Sequence, residues 1–122
     1  MPTLPAQPEP PAPLPPDSLA ALTADLRAFA AARHWQPFHA PKNLAMALSV
    51  EAAELLEHFQ WLTEAQSRAL PAAQRAEVAQ EVADVLLYLL QLADQLGIDA
   101  VQAARAKMAL NAQRFPVPAA GG

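Results

Sequence analysis

The chain has no cysteine, only three glycines, and no apolar run approaching the ~18 residues of a membrane span. Without cysteine, disulfides and thiolate metal sites are both excluded. Twelve acidic side chains outnumber eight basic ones, giving a net charge of −4. That balance leaves no basic footprint for nucleic acid. β-branched residues are few, and no segment alternates apolar and polar positions with period two, so the pattern argues against a sheet. The N-terminus lacks the basic and apolar regions of a signal peptide. The default expectation is a cytoplasmic protein that binds neither membrane nor nucleic acid.

What the chain does have is proline at one end and helix-forming residues everywhere else. Residues 1–16 hold eight of the thirteen prolines. Proline removes backbone donors and blocks helices, so this stretch reads as a disordered or polyproline II tail. A PxxP ligand for a partner domain is the sharper alternative. A single domain over 17–116 follows, and residues 117–122 read as a flexible end. Within the domain, alanine and leucine dominate and the apolar spacing is helical. Asp17 or Ser18 can cap a first helix of about 18–33. The prolines of HWQPFHAP break it. A second helix runs from about Lys42 to Leu62, with a loop or short helical turn over 63–70. Pro71 opens a third helix that continues to Leu96 and stops at Gly97. Asp99 with Gln102 suits the start of a fourth, which ends near Phe115-Pro116. The expectation is an all-α, four-helix bundle. Helix three alone carries more apolar surface than a small monomer can bury, so association through apolar helix faces is expected.

Two matching carboxylate pairs stand out against this background. Glu51 and Glu54 lie in SVEAAELLEHFQW, and Glu81 and Asp84 lie in AQEVADVLLYLLQ. Residues three apart share a helix face. Two such helices packed together gather four carboxylates, and like charges that are partly desolvated repel. A hard divalent cation between them removes that repulsion, because such ions prefer oxygen ligands. The pattern is therefore that of a magnesium site. Acids on helices are usually just solvated faces, but these lack the i+4 basic partners of such a face, and aromatic and amide residues accompany them. On a helical wheel Glu51, Glu54, His58 and Trp61 fall within roughly 80°, as do Glu81, Asp84, Tyr88 and Gln91. Glu57 and Glu77 read as rim residues or assistants. A di-iron site needs two Glu-x-x-His motifs, which are absent.

At these residues the sequence resembles the all-α NTP pyrophosphohydrolases of the MazG-like superfamily. WQPFHAPKNLAMALSVEAAELLEHFQW, EVADVLLYLLQLA and AKMALNAQRFP are similar to the dCTP pyrophosphatase branch over about residues 18–116. The resemblance implies that Glu51, Glu54, Glu81 and Asp84 bind Mg2+, with Mn2+ as a substitute, and serve catalysis. It implies that Trp35, Gln36, Pro37, Phe38 and His39 line the nucleotide pocket. Trp61 would pack on the base or close the pocket, and Tyr88 would contact substrate near the metals. Lys107 and Asn111 would hold the nucleotide or its phosphates. The products would be NMP and pyrophosphate, with direct water attack and Glu51 or Glu54 as base. A homodimer or homotetramer sharing its sites is implied as well. One departure stands out: where that branch carries a histidine nine residues before the tryptophan of WxxFH, this chain has Leu26. A broader or non-pyrimidine substrate range therefore remains open, as does a non-catalytic helical interaction module. Taken alone, Trp35 and Phe38 suit a plug between helices one and two equally well.

Overall fold

The structure, a computed structural model, describes residues 3–13, 15 and 18–119. Those residues form five α-helices and one 3₁₀ turn and include no strand. The helices are α1 (Leu19–Ala32), α2 (Pro41–Glu57), α3 (Glu64–Arg68), α4 (Ala72–Gln95) and α5 (Ala100–Arg114), with the 3₁₀ turn at Gln36–Phe38. The all-α expectation holds, but the helix count is five, because the segment after α2 closes one extra turn. The Thr63 hydroxyl accepts from Gln66 N at 3.1 Å, and the Gln66 carboxamide accepts from Thr63 N at 2.9 Å. This reciprocal capping box satisfies two otherwise unpaired donors. Helix two is also shorter than expected. It ends at Glu57 rather than Leu62, as Phe59 N turns inward to Leu56 O at 2.9 Å and Leu62 N to Phe59 O at 2.9 Å.

Ser18 caps α1 by accepting from Ala21 N at 3.0 Å, whereas Asp17 lies outside the described residues. Pro41 opens α2, where its missing N–H costs nothing. Asp99 caps α5 by accepting from Gln102 N at 3.0 Å. Gly97 takes the left-handed conformation (φ 65°) expected of it. Around it Ile98 N donates to Ala93 O at 2.8 Å, closing a Schellman turn at the end of α4.

The end of α1 uses the same turn with an unexpected residue. Trp35 N donates to Ala30 O at 3.0 Å and His34 N to Ala31 O at 3.2 Å. His34 therefore occupies the left-handed position, at φ 57°, which favours glycine. The turn's accompanying apolar contact is Phe29 against Trp35, edge to face with centroids 5.6 Å apart. This contact fixes where Trp35 points. Replacing His34 by glycine should relieve the strain and stabilise the fold by about 0.5–1 kcal/mol, after the extra chain entropy is subtracted. Urea unfolding would read this as a higher midpoint with unchanged slope.

The tertiary scaffold is simple. α2 packs along α4, and α1 packs on the C-terminal half of α4. A two-pronged ion pair clamps α1 in place. Arg27 Nη2 donates to Asp94 Oδ1 at 2.6 Å, and Arg27 Nε to Asp94 Oδ2 at 3.1 Å. The hydrogen bonds from Arg27 hold the Asp94 carboxyl below its ordinary pKa. The core itself is thin: among the described residues only Ala30, Leu44 and Leu90 are fully buried. Every residue of α5 after Ala100 is exposed. No described helix is long and apolar enough to cross a membrane.

Candidate active site

The packing of α2 on α4 brings the two carboxylate pairs together. Glu51 from α2 and Glu81 and Asp84 from α4 each offer an oxygen, and the three oxygens lie within 4.8 Å of one another. Glu54, one turn beyond Glu51, interacts with both Glu51 and Glu81. Among the described residues no lysine or arginine pairs with any of these four acids. The nearest basic side chain is His58, whose Nε2 lies 4.0 Å from Glu81 Oε1 and whose Nδ1 lies 4.0 Å from Glu77 Oε2.

The uncompensated charge shows in the acids themselves. The Glu51 carboxyl is pushed up to about 7. The largest cause is the hydrogen bond it shares with Glu54, which requires a proton between them. Desolvation and the charges of Glu54, Asp84 and Glu81 add to it. Glu81 is raised too, first by desolvation and then by the charges of Glu54 and Asp84, with His58 opposing. Glu51 Oε2 and Glu81 Oε2 are buried and have no hydrogen-bond partner. Buried carboxylate oxygens without donors are rare, because they lose hydration and gain nothing. Three converging hard oxygens, two orphaned atoms and no neighbouring ammonium or guanidinium group fit a divalent cation.

Beside this cluster runs an open cleft of about 410 Å3 between α1 and α4. Leu22, Leu26, Phe29 and Trp35 form its apolar wall, and Asp84 and Tyr88 stand where it meets the carboxylates. The Trp35 ring is held by Phe29 on one side and approaches His39 at 6.3 Å. Arg33 covers the Phe29 ring at 3.4 Å.

The expected site residues divide into three groups. Trp35, His39 and Tyr88 line the cleft with Asp84. Gln36 faces a smaller cavity of about 30 Å3 behind it. Pro37 and Phe38 are exposed, and Phe38 contributes its carbonyl, which accepts from the Asn43 side chain at 3.2 Å. Trp61 is 87 % exposed in the turn after α2. Lys107 and Asn111 lie on exposed α5, away from the cleft lining. Phe29 and Gln91 line the cleft without having been assigned to it from sequence. Phe29 follows Leu22 and Leu26 at helical spacing on α1, where an apolar residue suits packing as well as a cleft wall. Gln91 was already on the arc of Glu81, Asp84 and Tyr88, and that was the available signal.

A pair of acid-bearing helices beside an aromatic cleft makes this an all-α protein with a candidate metal site, and comparison with known proteins gives the family. The model of the MazG-like family matches residues 46–122, and the chain belongs to that family. It is similar to dCTP pyrophosphatase 1 of Mus musculus, 47% identical over 91 residues, covering 73% of this chain and 54% of that protein. The Homo sapiens dCTP pyrophosphatase 1 is 41% identical over 90 residues, covering 72% of this chain and 53% of the relative. The chain thus spans about half the length of the curated relatives it matches. A pyrophosphatase of Archaeoglobus fulgidus, known from a crystal structure, superposes with a TM-score of 0.76 at 40% identity. That match covers 81% of this chain and 93% of the archaeal one.

Proposed function

We propose that the chain is an Mg2+-dependent nucleoside triphosphate pyrophosphohydrolase, acting on dCTP or a modified dCTP and releasing NMP and pyrophosphate. The observation that carries this reading is the carboxylate trio, with its two buried, unpartnered oxygens, opening onto an aromatic-walled cleft. The names of the similar proteins support the nucleotide and the reaction.

Glu51, Glu81 and Asp84 hold the cation. When bound, it neutralises the triphosphate and acidifies water. The remaining work belongs to side chains. Trp35 offers a ring face for the base, and its position is fixed by Phe29. Tyr88 orients the sugar and phosphates at the cleft mouth. Water attacks phosphorus, the α–β phosphoanhydride bond breaks, and pyrophosphate leaves. Glu54, in contact with both Glu51 and Glu81, accepts the proton of that water. Positioning lowers the barrier further.

Association is part of the proposal. Lys107 and Asn111 stand on a helix with no cover of its own, and a second copy would bring them to its neighbour's cleft. The assembly is a homodimer or homotetramer.

A second reading, a broader or non-pyrimidine substrate range within the same reaction, is favoured by one observation. Leu26 presents an apolar side chain to the cleft. Purified protein should be assayed with Mg2+ or Mn2+ across canonical and modified dNTPs and NTPs, resolving NMP, NDP, phosphate and pyrophosphate. The expected result is NMP plus pyrophosphate, fastest with dCTP or a 5-substituted dCTP. The same products from another nucleotide would keep the reaction and discard the base. No turnover of any nucleotide, with no cation-dependent thermal stabilisation by nucleotide, would leave a non-catalytic helical interaction module.

A further inference from the structure

We infer that Arg27 and Asp94 are positioning residues for nucleotide binding: their ion pair holds α1, and the cleft wall that α1 carries, at the distance from α4 that the substrate fits. This rests on the nucleotide reading above. α1 supplies Leu22, Leu26 and Phe29 to the wall. Trp35, just beyond the end of α1, is held to Phe29 with ring centroids 5.6 Å apart. A shift of α1 therefore moves the whole apolar wall. The carboxylates stand on α2 and α4, whose contact does not involve α1, so they stay in place.

Packing alone does not fix α1. Ala30 is its one fully buried residue. The cleft of about 410 Å3 opens along one flank, and a hollow of about 420 Å3, lined by Leu19, Thr23 and Ile98, opens along the other. Empty space supplies no contacts that resist displacement. Across this loosely filled interface runs one directed link, in which Arg27 donates to the Asp94 carboxylate at 2.6 and 3.1 Å. Among the described residues no other side-chain hydrogen bond or ion pair joins α1 to α4. Two bonds from a planar guanidinium fix angle as well as distance. The link stands one layer behind the cleft. A cavity of about 30 Å3 touches both its members and shares Leu26, Ala30, His39 and Gln91 with the cleft lining. Arg27 is mostly exposed, so the pair adds little to stability. What it contributes is the orientation of α1.

The test is steady-state kinetics of the full chain and its Arg27→Met, Asp94→Asn, double and Arg27→Lys variants, in Mg2+ at pH 8, beside melting curves. The substrate is dCTP, or whichever nucleotide the wild type turns over fastest. Each single variant should raise KM roughly tenfold and leave kcat within about twofold, because the wall moves and the carboxylates do not. Melting midpoints should stay within about 4 °C of the wild type. The double variant should match the single ones, since each change breaks the same pair. Arg27→Lys keeps the charge without the fork, and its KM should rise more than about twofold. Folded single variants with KM within twofold of the wild type overturn the inference. So does a fall in kcat at unchanged KM, and so does a double variant whose effect is the product of the two single ones. Should Arg27→Met and Asp94→Asn both fail to fold, Arg27→Lys decides alone, and a KM within twofold overturns the inference. An active wild type with insensitive variants leaves the pyrophosphohydrolase reading intact. A wild type that turns over no nucleotide removes both.

Discussion

Replacing Glu51 by glutamine is expected to lower turnover roughly 1,000-fold while raising the thermal midpoint of the cation-free protein at pH 8. The two effects have one cause. Glu51 is held near three other carboxylates, and its carboxyl is pushed up to about 7 from an unfolded value of 4.5. Such a group binds its proton more tightly in the folded state. Its contribution to stability is therefore complete below pH 4.5 and is lost as pH rises through about 7. Above that, the folded chain carries an ionised carboxylate that it repels. The raised Glu81 carboxyl acts in the same direction. Glutamine keeps the shape and removes the charge, so the variant should melt higher above pH 7, by roughly 3 °C after allowing for solvent screening. The difference should vanish as pH falls towards 4.5. Asp94 does not blur this window, because its lowered pKa confines its effect to more acidic pH, where protonation breaks the Arg27 pair and stability falls. Adding Mg2+ should invert the order at pH 8, stabilising the wild type and leaving the variant nearly unmoved. Melting curves from pH 4 to 9, with and without Mg2+, check all of this beside the product assay. Full activity in the variant would sink the site, whereas lost activity with a lowered midpoint at pH 8 would make Glu51 a structural residue instead.

That site could be read from the chain because its geometry is local. Glu51 and Glu54 share a face by spacing alone, as do Glu81 and Asp84. Only the packing of α2 on α4 had to be supplied. The features that escaped are those in which tertiary context decides. His34 is not a residue that announces a left-handed stop, yet Trp35 needs that turn to reach Phe29. No glycine or proline marks the end of α2 at Glu57, so the helical period reads on to Leu62. The Thr63–Gln66 capping box was legible and marks α3, but a five-residue helix is too short to show periodicity. Gln91 carried the right phase, but an amide on a helix gives no sign in sequence that its oxygen will be buried. Lys107 and Asn111 lie on exposed α5, and in the proposed assembly only a second chain would bring them to a cleft, which no single-chain pattern supplies.

The proposed association carries the other large effect. Met108→Glu is expected to reduce the protein to a 13.0 kDa protomer, lower its thermal midpoint by roughly 10 °C and cost more than tenfold in turnover. The accessible surface is 10,085 Å2. A compact monomer of this mass exposes about 6,300 Å2. The extended residues 3–13 account for part of the excess, and unpartnered helix faces for the rest. On α4, Val82, Leu89 and Leu96 recur at seven-residue intervals and all are exposed. On α5, Val101 and Met108 do the same, and Phe115 follows at its C-terminal cap. Heptad spacing of apolar residues is the pattern of a helix seam, and each of these two stripes leaves apolar surface uncovered. A charge at the centre of the α5 stripe must be desolvated for that face to close. Met108 is 70 % exposed in the single chain, so the substitution removes little packing within it. A large loss of stability that depends on protein concentration would then come from lost association. The loss of turnover has a separate origin. Lys107 precedes Met108, and Asn111 lies one turn beyond Lys107. If α5 no longer docks, neither reaches a neighbouring cleft. Light scattering, melting at several protein concentrations and turnover of dCTP check the three effects together. A wild type that is already monomeric, melts independently of concentration and is fully active would place Lys107 and Asn111 outside the reaction altogether.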